Sequence, residues 1–255
     1  MLHLYYRRYE MYRFFVEDKI SSGKDIRISG NDYNHIKNVL RMKKGEEVLI
    51  SDGQDREYLC SIADYTDDEV ILTIEDIMGT SRELSAKITL FQGLPKGDKM
   101  EQIIQKTVEL GVAEIIPVAM KRCVVKLDDK KAGKKIERWN GIALSAAKQS
   151  KRGIIPEVKD VMSFKEAIKM ASHMDACLVP YENAEGIEGA RKLVESMKDK
   201  KSIGIFIGPE GGFEDSEIEL ALENGAKTLT LGRRILRTET AGMTMLSILM
   251  FALEE

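Results

Sequence analysis

Two segments in the last third of the chain combine residue types that ordinary chain folding does not require. The first is Gly208-Pro209-Glu210-Gly211-Gly212-Phe213, placed directly after an apolar run that ends at Ile207. Its glycines remove side chains where a backbone turns sharply or comes close to a ligand. A plain strand-to-helix turn accounts for them equally well. The second is Leu231-Gly232-Arg233-Arg234-Ile235-Leu236-Arg237-Thr238-Glu239-Thr240-Ala241. A helix N-cap would explain Thr238 or Thr240, but it does not require three arginines. Forked guanidinium groups suit phosphate or an electron-rich base. A third polar exit, Leu178-Val179-Pro180-Tyr181-Glu182, follows another apolar run. In open α/β sheets ligands bind beyond the carboxyl ends of the strands, so these three exits are the candidate site.

Other chemistries find no support. Gly93-Leu94-Pro95-Lys96-Gly97-Asp98-Lys99 superficially looks like a phosphate loop, yet its spacing is wrong and no Ser or Thr follows the lysine. No GxGxxG follows a strand-like run, and no Ser/His/Asp or Cys/His arrangement is evident. Cys60, Cys123 and Cys177 are far apart and odd in number, and His3, His35 and His173 add no ligand cluster. Neither a metal site nor a disulfide framework is expected, and a reducing cytosol fits best. The longest apolar stretch, 241–253, is too short to span a bilayer.

The elements that must position these exits alternate in a regular way. From Lys87 onward, strand-like runs at 87–94, 114–119, 175–179, 202–207 and 228–231 are separated by helical patterns. Those helices fall at 98–110, 131–150, 163–171, 186–198, 215–223 and 239–253. That alternation predicts a mostly parallel sheet covered on both faces. Residues 12–78 read differently, as short β-runs at 25–28, 47–51, 57–62 and 69–74 punctuated by turn residues. A helix at 31–41, with Ile36, Val39 and Leu40 inward, interrupts them. The pattern predicts a small barrel, with Gly79-Thr80-Ser81 as the linker after it.

Net charge is −3, which taken alone argues against nucleic acid, but its distribution argues the other way. Residues 121–152 hold 11 basic and 3 acidic side chains, net +8, whereas residues 1–80 are net −5 and 153–255 net −6. A basic segment inside an acidic protein is how a phosphate-binding surface looks; a solvated lysine-rich helix face is the competing reading. On a helix at 131–150, Arg138, Ser145, Lys148 and Gln149 share a polar stripe that Lys151 and Arg152 continue. Ile136, Trp139, Ala143 and Ala147 share the opposite, inward one.

Gly208-Pro-Glu-Gly-Gly-Phe213 together with Leu231-Gly-Arg-Arg-Ile-Leu-Arg-Thr-Glu-Thr-Ala241 closely resembles the RsmE family, the 16S rRNA uridine-N3 methyltransferases of the SPOUT (α/β-knot) class. Further blocks are similar in order: Leu94–Glu101, Lys106 with Glu109–Val112, Arg122, and Ala146–Arg152 followed by Pro156. Met11–Val16 resembles the family's start, and His35 with Val39-Leu40-Arg41 fits its amino-terminal domain. Residues 1–10 precede that start, and Lys148 stands where many relatives carry Glu.

The resemblance implies a PUA-like β-barrel over 1–80 that helps hold RNA, and a knotted α/β methyltransferase domain over 81–255 built on a parallel sheet. It implies a cytoplasmic homodimer acting on 16S rRNA in the small subunit, with the last helix in the interface. S-adenosyl-L-methionine would lie against Leu178, Val179 and Pro180, against Ile207, Gly208, Pro209 and Gly211, and against Leu231, Gly232, Ile235, Leu236, Arg237, Thr238, Thr240 and Ala241. Arg237 and Glu210 would serve catalysis, as charge stabiliser and as base or base-orienting group. RNA would meet Arg13, Arg41, Lys96, Lys99, Arg122, Arg138, Lys148, Gln149, Lys151, Arg152 and Arg234. The alternatives are methylation of another base or of a ribose 2′-hydroxyl, and a non-catalytic RNA-binding assembly factor.

Overall fold

The computed structural model describes residues 11–16, 25–53, 56–79, 83–182 and 186–254. The expected extension at 1–10 and the linker residues 80–81 lie outside the described residues. The chain divides into two compact units, one of Met1–Glu83 with Lys151–Ile155, the other of Leu84–Ser150 with Pro156–Glu255. The expected split at residue 80 thus leaves out a five-residue segment that belongs with the first unit.

The first unit is a five-stranded sheet of β1 (Arg13–Phe15), β2 (Ile26–Ser29), β3 (Glu47–Ser51), β4 (Arg56–Tyr65) and β5 (Glu69–Gly79), in the order β1-β3-β4-β5-β2. Only β1 pairs in parallel, with β3. Register shifts between Leu59 and Cys60 and between Ile62 and Asp64 leave one extra residue in β5 (Glu75) and one in β4 (Ala63), and bulges bend a strand and increase its twist. The unit's core gathers Phe14, Ile28, Val48, Ile50, Ile62 and Leu72. A short helix, α1 (Gly30–Asn34), runs into a π-helical turn at His35–Val39 closed by Leu40 N–H on the His35 carbonyl at 2.9 Å. The expected inward trio is corrected here: Ile36 is fully buried and Leu40 packs on the core, but Val39 is 64 % exposed. The wider π turn breaks the i, i+3, i+4 face that an α-helix would have kept.

The second unit carries the alternating elements β6 (Lys87–Gly93), α2 (Lys99–Glu109), β7 (Glu114–Ala119), α3 (Asp129–Gln149), β8 (Glu157–Val158), β9 (Met162–Ser163), α4 (Phe164–Ala171), β10 (Ala176–Pro180), α5 (Ile187–Glu195), β11 (Ser202–Ile207), α6 (Asp215–Glu223), β12 (Lys227–Leu229) and α7 (Thr238–Leu253). Its sheet is parallel, in the order β12-β10-β11-β6-β7-β8, with β9 also on β7. Alternate side chains enter two cores. Ile88, Leu90 and Ile205 meet Ile103, Trp139, Met245 and Leu249 on one face. Phe91, Val118 and Phe206 meet Phe164, Ile168 and Ile218 on the other. Phe91 stacks on Phe206 at 4.3 Å between centroids. Burial on both faces is what strands of near-continuous apolar sequence demand. Trp139, Ala143 and Ala147 turn inward on α3 as the stripe requires. Met245, Leu246 and Leu249 bury the inner face of α7, while Phe251 stands 86 % exposed on its outer face.

Candidate active site at the strand ends

Parallel pairing lines up the carboxyl ends of four neighbouring strands. Gln92 on β6 lies opposite Ile207 on β11, and Pro180 on β10 opposite Leu229 on β12. The Tyr181 N–H extends that last ladder to the Leu229 carbonyl at 2.9 Å. The loop after β11 therefore emerges beside the loop after β6. Their approach is close: a Cβ on Gly93 would stand 2.8 Å from both the nitrogen and Cδ of Pro209.

The Gly-rich loop folds back on itself. A Cβ on Gly208 would meet the Gly212 carbonyl carbon at 3.1 Å and the Phe213 ring at 3.3 Å. Gly208 is therefore small because its own loop needs the space. Gly212 turns the chain with φ +69°, a conformation that favours glycine. Gly232 differs. Its φ is +114°, which favours glycine, and a Cβ there would meet nothing within 4 Å.

Glu210 is held by two groups of the segment after β6. Its Oε1 accepts from the Lys96 N–H at 3.0 Å and from Lys99 Nζ at 2.9 Å, and Lys99 also faces Glu239 Oε2 at 3.6 Å. Burial pushes the Glu210 carboxyl up. The Lys99 ammonium, the loop N–H groups and the nearby positive charge outweigh that and hold it below its ordinary value. Hydrogen bonding to Glu210 raises the Lys99 ammonium in turn. A carboxylate shifted in that direction is a weaker base than an ordinary one.

Arg237 occupies the N-cap of α7, is exposed, and forms no side-chain hydrogen bond or ion pair among the described residues. Both carboxylates that might have tied it down, Glu210 and Glu239, face Lys99 instead. Arg233 and Arg234 are exposed, and Ile235 is 87 % exposed. The helix start behind Arg237 is anchored by Thr238, whose hydroxyl donates to the Gly208 carbonyl at 2.7 Å and accepts from Gln92 Nε2 at 2.9 Å. Gln92 is absent from the sequence-derived site. The signal it offered was a glutamine closing an apolar strand just before a glycine.

Burial and pairing distinguish among the expected contacts. Leu178, Val179 and Ile207 are shut inside the two cores, because successive strand residues point to opposite faces; only their backbone can border a ligand. Pro209 and Thr238 are also buried, Leu231, Leu236 and Ala241 half-buried, and Thr240 exposed. Of the expected RNA contacts, Arg13 is committed to Glu57 and to the Lys151 carbonyl. Arg152 is 4 % exposed, its Nε 2.9 and 3.0 Å from the two Glu83 oxygens. Neither presents charge to a solvent-side phosphate. Lys99 is spent on Glu210. Arg122 braces the Gly-rich loop through Glu214 at 2.9 Å and the Gly211 carbonyl at 3.2 Å. Arg138 pairs with Glu101 at 2.8 Å but stays exposed. Arg41, Lys96, Gln149 and Arg234 are exposed, and Lys148 and Lys151 half-buried.

Cys60 and Cys177 are buried thiols pushed up to about 12, useless as nucleophiles near neutral pH. Among the described residues no cluster could hold a metal, and no helix is long and apolar enough to cross a membrane. A cleft of about 290 Å³ opens at the opposite, amino end of β10 and β12, beside Asp175 and Lys227. Ligands of parallel sheets bind at the carboxyl ends, so that cleft is not taken as the candidate site.

Residues 82–250 match the RNA methyltransferase domain family, and residues 28–75 match the RNA methyltransferase PUA domain family. The chain is 40 % identical to the Ribosomal RNA small subunit methyltransferase E of Bacillus subtilis, over 96 % of this chain and 98 % of that protein. It is 35 % identical to the protein of the same name from Mesomycoplasma hyopneumoniae, over 93 % and 98 % of the two chains. A crystal structure of a Ribosomal RNA small subunit methyltransferase E from Neisseria gonorrhoeae, bound to S-adenosyl methionine, superposes with a TM-score of 0.80. It shares 32 % identity over 93 % of this chain and 96 % of that one.

Proposed function

We infer the function from one premise: the chain belongs to the RNA methyltransferase family that contains the ribosomal RNA small subunit methyltransferases E. It is an RNA methyltransferase of the SPOUT class, whose trefoil knot fits this family. On our reading it takes S-adenosylmethionine as donor and methylates N3 of one uridine, the equivalent of U1498, in 16S rRNA of the small subunit. It would work in the cytoplasm as a homodimer, with exposed Phe251 and the outer face of α7 as the surface available for pairing. The observation that carries the reading is the exposed Arg237, unpaired among the described residues, in the loop it shares with Gly232 after the last strand.

The residues present fit the cofactor. Open space beside the Gly232 backbone, the Pro180–Tyr181 strand end and the folded Gly208–Gly212 loop offer backbone donors and acceptors without crowding. When bound, S-adenosylmethionine supplies a methyl group already electrophilic on its sulfonium, so the protein's work is positioning and charge. Uracil N3 carries a proton at neutral pH and gives it up to solvent water before or during attack. The charge then spreads to the flanking carbonyl oxygens, and the Arg237 guanidinium donates hydrogen bonds to it. Glu210, held ionised by Lys99, serves as the orienting group of the loop rather than as the proton acceptor. The exposed basic residues of α3 and Arg234 receive phosphates.

The deciding experiment incubates the protein with labelled cofactor and small ribosomal subunits, then digests the RNA and identifies the methylated nucleoside by mass spectrometry. N3-methyluridine is the expected product. A 2′-O-methyl nucleoside or another methylated base would move the chain to a different knot specificity. Failure to bind the cofactor would leave an RNA-binding assembly factor.

A further inference from the structure

We infer that Gln92 is a positioning residue of the methyl-transfer site, acting through the Thr238 hydroxyl on both loops that carry the candidate catalytic groups. The inference rests on the reading of the strand ends as the cofactor site. Gln92 is fully buried at the end of β6. Its Nε2 donates to the Gly93 carbonyl at 3.0 Å and to Thr238 Oγ1 at 2.9 Å, and Thr238 Oγ1 donates to the Gly208 carbonyl at 2.7 Å.

The direction of this relay is fixed by proton count. A threonine hydroxyl has one proton, and here it is spent on Gly208, so a donor must face its oxygen. The glutamine amide supplies one. Its Oε1 is buried without a donor among the described residues and lies on the Gly242 side, where a Cβ would come within 3.8 Å of it. The amide thus faces the relay with its donor end.

Both ends of the relay sit next to chemistry. Thr238 is the first residue of α7, between Arg237 and Glu239. Gly208 precedes Pro209 and Glu210, and Pro209 is itself wedged against Gly93. Fixing the Thr238 hydroxyl therefore sets where Arg237 leaves the helix and how the Gly208–Pro209 peptide plane lies. Small displacements at such positions are costly, since a misplacement of ~1 Å reduces rate by about 10²-fold.

Three variants test this in the full-length protein: Gln92→Met, which keeps approximate volume and removes both donors, and Thr238→Val and Thr238→Ser. Each is followed by circular dichroism, thermal melting, calorimetric titration with S-adenosylmethionine and single-turnover methylation of small subunits. Gln92→Met and Thr238→Val should lose about 10²-fold in single-turnover rate at saturating cofactor and bind cofactor more weakly. Thr238→Ser should lose far less than Thr238→Val. If Gln92→Met does not fold, the Val and Ser pair decides. Folded variants that keep wild-type turnover and affinity overturn the inference, as does loss of activity in Val and Ser alike that only follows the melting temperature. Wild-type protein that binds no S-adenosylmethionine would instead overturn the reading of the site, so the two failures are distinct.

Discussion

Replacing Arg237 with alanine separates chemistry from architecture because of where the structure puts that side chain. The cap at the start of α7 is made by backbone: the Ala241 N–H donates to the Arg237 carbonyl at 2.8 Å, and no side chain caps the helix. The guanidinium is exposed and has no ion-pair partner among the described residues. Its removal should therefore change stability by no more than about 0.5 kcal/mol, a shift in melting temperature of about 1–2 °C for a chain of this size. Loss of one preorganised donor to developing negative charge costs about 10²- to 10³-fold, or about 2.7–4 kcal/mol. The rate effect thus exceeds the stability effect at least fivefold. Single-turnover methylation at saturating cofactor, beside melting curves and calorimetric cofactor binding, reads the two separately. Arg237→Lys should recover little, because a point ammonium does not reproduce a planar fork. A wild-type single-turnover rate in Arg237→Ala would refute the assignment, and a parallel fall in melting temperature and activity would make Arg237 a structural residue.

Gly208→Ala should cost about 1–3 kcal/mol, seen in denaturant melts, because the added carbon meets Gly212 at 3.1 Å; an unchanged midpoint would show that the loop yields freely. Changing Lys130 and Lys134, exposed on α3, to Gln should lower the salt dependence of RNA binding, by a little under ~1 in logarithmic slope for each phosphate no longer neutralised. An unchanged slope returns that face to plain solvation. Two of the carboxylates lowered in the folded state illustrate the sign of acid stability. The backbone N–H groups of Lys201 and then Ser202 hold Asp175 below its ordinary value. In Glu210, burial opposes the shift but Lys99 and the loop N–H groups prevail. Both groups bind fewer protons folded than unfolded, so their contribution is full above the ordinary carboxylate range and is lost as pH falls through the lowered folded values. Asp175→Asn and Glu210→Gln should each flatten the acid limb of a stability-versus-pH curve, and a limb as steep as wild type in both would contradict this.

What could be read from the sequence follows from the range of the forces involved. The alternation of strands and helices after Lys87 was legible because each element's periodicity is local; Glu114–Ala119, Ser202–Ile207 and Asp215–Glu223 have the bounds their patterns imply. The short strand β1 was not, since three residues carry no period, and its ladder is closed by Leu49–Ser51 far along the chain. Val39 failed for a related reason, a π turn that no local propensity announces. In the site, loops rich in glycine and arginine could be picked out by composition, yet the partners of their charges could not. Lys99 and Arg122 count as basic residues in any sequence tally, but the fold spends one on Glu210 and the other on Glu214. Arg13 and Arg152 are spent likewise, on Glu57 and Glu83. The arginines beside the strand ends, Arg233, Arg234 and Arg237, lie in one exposed loop, and no carboxylate among the described residues is spent on them. A cation whose charge is already compensated has little to offer a phosphate or an anionic base. The free charge of the site is therefore concentrated in that loop, and its direction depends on Thr238, pinned by a glutamine 146 residues earlier in the chain.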